Sequence, residues 1–200
     1  MIIKLLIYIK HHMSFIWTLV EWCNSILFNL LYGRKLRKIL PGLLEEVSFG
    51  DFVYKLLTMD DITFLAEFFA SQPAEAYKFF NPHGLDEHSL RKRKKDKAFV
   101  MIGTFCGSKL VGYCFLRCFF NKQAFRGKIV DQNYQGKGIA KQMGVLTTNI
   151  CSALGLRLYA TISKKNVKSL ASSKAVNEVR IIKELEDDYL YVEYLLKNRT

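Results

Sequence analysis

Hydrophobic positions along the chain change rhythm near residue 41. Before it, residues 15–32 are apolar except for Thr18, Glu21, Asn24, Ser25 and Asn29. Thr18, Glu21, Ser25 and Asn29 recur every three or four residues, which places them in one narrow stripe of a helix. A basic run, Gly33-Arg34-Lys35-Leu36-Arg37-Lys38, follows, and Pro41-Gly42 is expected to end the region. Beyond it, short apolar runs alternate with helical spacing. Residues 52–57 read as a strand. Thr58 or Asp60 is placed to cap a helix through Ile62, Leu65, Phe68 and Phe69. Asn81-Pro82-His83-Gly84 reads as a turn and residues 86–95 as a short polar helix. Residues 98–105 and 109–119 read as two strands joined at Cys106-Gly107-Ser108. Residues 123–130 form the next strand. Ile139, Met143, Leu146, Ile150 and Leu154 then give residues 136–154 one helical face. Residues 156–162 read as a strand, 166–175 as a short helix, and 179–185 and 189–196 as two closing strands. The order predicts a mixed α/β fold, its sheet antiparallel in the first half, with one helical crossover.

The chain of 200 residues suits one domain with an appendage, here residues 1–45 as an N-terminal hydrophobic, amphipathic helical extension and 46–200 as the domain. Half the residues are hydrophobic, which excludes a disordered chain. For the extension three readings stay open: a membrane span, an interfacial helix with basic flanks, and a helix packed on the protein or a subunit. Glu21 weighs against the span, because an acid near the helix centre costs about 2.5–3.5 kcal/mol on insertion. Met1 and Met13 are both candidate starts. The five cysteines form no CxxC pair and no zinc spacing, so they are expected to be buried, reduced thiols of a cytoplasmic protein. No metal is expected.

Charge then singles out one region. Of the chain's net +12, residues 121–175 carry +9, with ten Lys/Arg and a single acid, Asp131. A basic surface favours an anionic partner. The run Arg91-Lys92-Arg93-Lys94-Lys95-Asp96-Lys97 could touch nucleic acid or an acidic lipid surface; with no interleaved aromatic residues, a solvated helix end is the leading reading. Within the basic segment, Gln135-Gly136-Lys137-Gly138 joins a strand to a helix. Glycines there let a ligand approach the backbone, and the amides of a helix start, with its dipole, favour a phosphate. A tight turn without any ligand uses the same residues.

Gln135-Gly136-Lys137-Gly138-Ile139-Ala140 resembles the (Gln/Arg)-x-x-Gly-x-(Gly/Ala) signature of the GNAT superfamily of acyl-CoA-dependent N-acyltransferases. Thr58-Met59-Asp60-Asp61, Leu110-Val111-Gly112-Tyr113, Leu154-Gly155-Leu156 and Asn166-Val167-Lys168-Ser169 are similar, in order, to four further landmarks, and the resemblance covers about residues 50–197. It implies a largely antiparallel sheet with splayed central strands and flanking helices. It also implies an acetyl-CoA site. The pantetheine arm would pair with the backbone of Ile129 and Val130, and the pyrophosphate would sit on the turn from Gln135 through Gly136, Lys137, Gly138, Ile139 and Ala140. Asn166 and Ser169 would lie on the far side of the arm. Lys137, Lys141 and Lys168 are phosphate candidates from charge and position alone.

The chemistry implied is transfer of an acetyl group from acetyl-CoA to an amine, which needs a neutral amine, a polarised carbonyl and a stabilised thiolate. The family's usual glutamate on the strand before the turn is absent. His83 is therefore the leading base or acceptor ligand, with Asp86, Glu87 and His88 behind it. Where the family often places a tyrosine acid this chain has Ser173, with Tyr159 or Tyr134 as substitutes; the usual Gly-Phe is Asn177-Glu178. The leading acceptor is a small-molecule primary amine, such as an amino sugar or its nucleotide-linked form. The alternatives are a protein or peptide amine, and a non-catalytic basic module binding nucleic acid or a membrane surface. Peripheral membrane contact through residues 1–40, at the inner face, is compatible with the first reading. The oligomeric state is not legible.

Overall fold

The computed structural model describes residues 14–197; the two candidate starts and residues 1–12 lie outside the described residues. Helix α1 (Ser14–Phe28) passes through one π-helical turn (Asn29–Gly33) into α2 (Arg34–Val47). Then come β1 (Phe52–Leu56), α3 (Ile62–Ala70), a short 3-10 turn and α4 (Glu87–Lys94). The hairpin β2 (Phe99–Cys106) and β3 (Lys109–Phe119) leads to β4 (Gln123–Val130). Helix α5 (Ile139–Leu154), β5 (Arg157–Ser163), α6 (Val167–Lys174), β6 (Asn177–Glu184) and β7 (Tyr189–Leu196) complete the chain.

All seven strands form one sheet in the order β1-β2-β3-β4-β5-β7-β6. Every neighbouring pair is antiparallel except β4 with β5, joined by the α5 crossover. This is the mixed, largely antiparallel sheet that the pattern predicts. Strand alternation sorts the side chains into two cores. On one face Ile102, Cys114, Leu116, Leu158 and Val192 pack with α2 and α5. On the other Met101, Tyr113, Phe115 and Ile129 pack with α3 and α4.

Three local expectations change. Pro41-Gly42 does not end the first region: Pro41 lies inside α2, which runs to Val47. A proline inside a helix costs about 3 kcal/mol. Leu36, Leu40 and Val47 are buried on either side of it in the core shared with α5, and that burial outweighs the lost hydrogen bond. Neither Thr58 nor Asp60 caps α3. Asp61 holds that position, and its carboxylate accepts from the Thr58 amide at 2.6 Å and the Thr58 hydroxyl at 2.7 Å. The run after Arg91 is fastened more than a solvated end would be, with Arg91 bonded to Glu87 and to Met59 O and Arg93 lying over the Phe99 ring. Cys114, Cys118 and Cys151 are buried thiols as expected, while Cys23 is exposed.

Phe28 ties α1 to the sheet core and is fully buried. Phe28→Ala should lower unfolding stability by about 3–5 kcal/mol in a denaturant titration.

Candidate active site

The parallel pairing of β4 with β5 lasts three rungs: Gln123 with Arg157, Ala124 with Leu158, Phe125 with Tyr159. Beyond Phe125 the two strands part, and residues 126–130 of β4 keep only β3 as a ladder partner. The gap opens toward the glycine turn, as the resemblance implies. Ile129 lines its β4 edge with its side chain in the α3/α4 core.

The turn itself is braced from several sides. Asp131, nearly fully buried, accepts from the Asn133 amide at 2.9 Å and pairs with Lys109 at 3.1 Å. The only acid of the basic segment is thus spent on the turn. Its amide donates to Val111 O. Gly136 and Gly138 have φ of +79° and +85°, conformations that a side chain disfavours. The first amides to bond back into α5 are those of Lys141 and Gln142, both to Gly138 O. The amides ahead of them, through Ala140, are the donors a helix start leaves without internal partners. The Tyr54 hydroxyl donates to Ile139 O at 3.1 Å, which fixes the first turn of α5 against β1. Gln135, Gly136, Lys137 and Gly138 are exposed and Ile139 is buried.

Helix α6 faces this turn. Lys168 Nζ donates to Gln135 Oε1 at 3.1 Å, so α6 and the turn meet across the mouth of the gap. Lys137 lies over the Tyr134 ring, and Lys141 is exposed. Asn166 caps α6, its Oδ1 accepting from the Ser169 amide at 3.0 Å. The residues 135–141, 166, 168 and 169 are therefore neighbours in space. This arrangement fits a phosphorylated, extended ligand: open amides at positive-φ glycines, two lysines at the rim, and an unpaired strand edge leading inward.

The two residues expected to serve catalysis lie on opposite faces of the sheet. His83 packs among Phe99, Tyr113 and Phe115 on the α3/α4 face. Gly84 O, 2.7 Å from Nδ1, can only accept, so Nδ1 carries the proton. Nε2 then presents its lone pair, 3.4 Å from the Tyr113 hydroxyl. Burial lowers the His83 pKa, which keeps the ring neutral near pH 7. Phe115 in turn covers β4 at Gly127, where a Cβ would stand 2.3 Å from its ring. Ser173 is on the α5 face and completely buried. Its hydroxyl is 3.3 Å from Tyr194 Oη and accepts from Arg126 Nη2 at 3.4 Å. Tyr159 stacks on Tyr191 and lies tilted against Phe125.

Two basic residues of β4 escaped the sequence reading. Arg126 is buried among neutral acceptors, Gly144 O, Thr147, Thr148, Ser173 and Asn177, and its guanidinium lies 3.5 Å from the centre of the Tyr194 ring. Lys128 Nζ donates to Ala140 O and to Ser172 Oγ, both at 2.9 Å. Burial, then the Arg126 charge, lower its pKa to about 7. The signal was there: at steps of two along β4 both share a face with Ala124 and Val130, which pack in the α5 core. Counting them as surface charge hid it. Glu193 also faces the open side of the sheet, but Arg157 and Arg180 hold its carboxylate below the usual range, which makes it a poor base.

No protein-family model matches the chain, and no curated protein matches it either. Solved structures do. A ribosomal-protein-S5-alanine acetyltransferase from Vibrio fischeri is 17% identical over 76% of this chain and 97% of that one, with a TM-score of 0.61. RimJ of Mycobacterium smegmatis, in complex with CoA-disulfide, is 19% identical over 71% and 80%, with a TM-score of 0.58. A spermidine N-acetyltransferase, a chimera of SpeG from Vibrio cholerae and hSSAT, is 19% identical over 74% and 96%, with a TM-score of 0.56. With its parted central strands and its glycine turn at the head of the crossover helix, the chain has the fold of the GNAT acetyltransferases.

Proposed function

We propose that this protein is an N-acetyltransferase that moves the acetyl group of acetyl-CoA to a primary amine of a small molecule, with both substrates bound together. The observation that carries the reading is the parting of β4 from β5 after three rungs, directly below the glycine turn. The thioester would lie in that gap, between the two faces of the sheet. On the α3/α4 face the neutral His83 ring, acting directly or through water, takes the proton of the attacking amine. The amine nitrogen bonds to the acetyl carbon, the carbon–sulfur bond breaks, and the thiolate takes up a proton. On the α5 face Lys128, poised near pH 7 beside Ser172, is the group suited to supply that proton. Ser173 is better read as a support for Arg126 than as the acid, because its hydroxyl is sealed in and already engaged.

The solved structures similar to this chain are named for different acceptors, a ribosomal-protein alanine and spermidine among them. The net charge of +12 disfavours a basic peptide or a polyamine. An amino sugar, free or carried on a nucleotide, fits better. A panel of amino sugars, amino-sugar nucleotides, polyamines and peptides, read by free-thiol release, distinguishes these acceptors.

Saturating acetyl-CoA should raise the melting temperature, since a ligand at about 100 times its Kd adds about 2.7 kcal/mol; no shift at millimolar concentration sinks the enzyme reading. Gly138→Val forces a β-branched residue into positive φ and should abolish acetyl-CoA binding in calorimetry while the circular dichroism stays native. Turnover should follow a bell in pH, its acid limb below 6.5 removed in His83→Ala and its alkaline limb near pH 7 removed in Lys128→Met. Lys128 also sets a stability trend. Its folded pKa lies below the unfolded value of 10.5, so the unfolded chain binds the extra proton between about pH 7 and 10.5 and stability rises across that window. Lys128→Met should therefore melt higher than the wild type below pH 7, with the difference shrinking as the pH climbs toward 10.

A further inference from the structure

The first 38 residues hold six Lys/Arg and one acid, Glu21. In α1 that acid is turned toward the protein, where its Oε1 lies 2.9 Å from Arg117 Nη2 and 3.7 Å from Arg93 Nη1. Asn24 donates to Cys118 O at 3.0 Å and accepts from the Phe120 amide at 3.1 Å. Ser25 Oγ accepts from the Lys97 amide at 2.8 Å. These polar side chains, together with the buried Phe28, attach the helix to the protein. The apolar side faces out, with Trp22 60%, Leu30 73% and Leu31 60% exposed, and Leu19 and Ile26 beside them. A surface helix of a globular protein is arranged the other way round.

This exposed strip continues at three- and four-residue steps into Arg34, Lys35 and Lys38, all exposed. A contiguous apolar strip of this kind marks a docking surface. We propose that it docks on an anionic lipid surface, with α1 lying in the plane of the headgroups and Arg34, Lys35 and Lys38 over the phosphates. Charge selects that occupant. A second copy would set two chains of net +12, each with this basic end, against one another. An anionic bilayer offers the apolar phase and the opposite charge together. Residues 2–9, seven hydrophobic side chains and Lys4, extend the same composition. Among the described residues no helix is long and apolar enough to cross a membrane.

The test uses the full chain and vesicles of phosphatidylcholine with or without phosphatidylglycerol. The protein should co-sediment with the mixed vesicles, with blue-shifted tryptophan emission, and bind phosphatidylcholine alone far less. The triple variant Arg34→Gln, Lys35→Gln, Lys38→Gln should bind the mixed vesicles on the order of a hundredfold more weakly. The triple variant Trp22→Gln, Leu30→Gln, Leu31→Gln should lose about tenfold or more. All six side chains are exposed, so the melting temperature of both variants should match the wild type. Sedimentation velocity completes the experiment. A dimer that ignores vesicles and that the apolar variant converts to monomer assigns the face to a second copy and overturns the proposal. A monomer that ignores both vesicle types, or that binds both equally, overturns it as well.

Discussion

The organisation of the site depends on how soon β4 and β5 stop pairing. A parallel pair needs a crossover, and α5 supplies it; three rungs later the strands diverge. From that point one edge of β4 is without a ladder, the glycine turn stands at the head of the opening, and α6 closes toward it through Lys168 and Gln135. The divergence also gives each sheet face its own route to the gap. The α3/α4 face brings an aromatic wall of Phe99, Tyr113 and Phe115 with His83 in it. The α5 face brings Arg126 and Lys128. A neutral imidazole on one side and a lysine poised near pH 7 on the other are complementary groups for moving one proton in and one out.

The two buried cations carry a cost that the fold only partly offsets. Arg126 has neutral acceptors around its guanidinium and an aromatic ring beneath it, and among the described residues it makes no ion pair. Lys128 relieves its own burial by sitting close to the point where it loses its proton. A core leucine at either position would pack with less penalty. That two such residues stand side by side on β4 is a reason to look for their role in the chemistry of the gap. The rod of α1 and α2 shows a similar division along its length. Its second half is core, through Leu36, Leu40 and Val47; its first half is attached through Phe28 and polar groups and leaves most of its apolar side uncovered.

Most of the element order was legible because it rests on local patterns: short apolar runs for β2 and β3, a 3.6-residue face for α5, and turn residues at Gly107 and Asn81-Pro82. The glycine turn was legible for the same reason, since positive φ at Gly136 and Gly138 is a backbone demand that the residue type announces. The end of the first helix was not. Pro41 signals a stop locally, and only the apolar face that packs on α5 overrides it. The start of α3 was misplaced because Thr58, Asp60 and Asp61 have equal capping chemistry; Asp61 takes the N-cap position, but its carboxylate turns back to Thr58 and caps no helix amide. The setting of Ser173 was out of reach as well, because its partners Arg126 and Tyr194 come from β4 and β7.

The sequence by itself determined the strands and helices, the glycine turn and the lack of a carboxylate on β4, because each follows from residue type and spacing along one segment. The tertiary structure alone decided which way the side chains of that segment face. Ten basic residues between 121 and 175 read as one positive surface, yet Arg126 and Lys128 are folded inside it and Lys168 bridges to the turn. Of the polar stripe of α1, which spacing places on a single face, Glu21 and Ser25 are turned against the protein rather than to water, while Thr18 is exposed. Periodicity fixes which residues share a face. Which face is buried depends on partners distant in the chain, here Arg117, Cys118 and Phe120 of the β3 end.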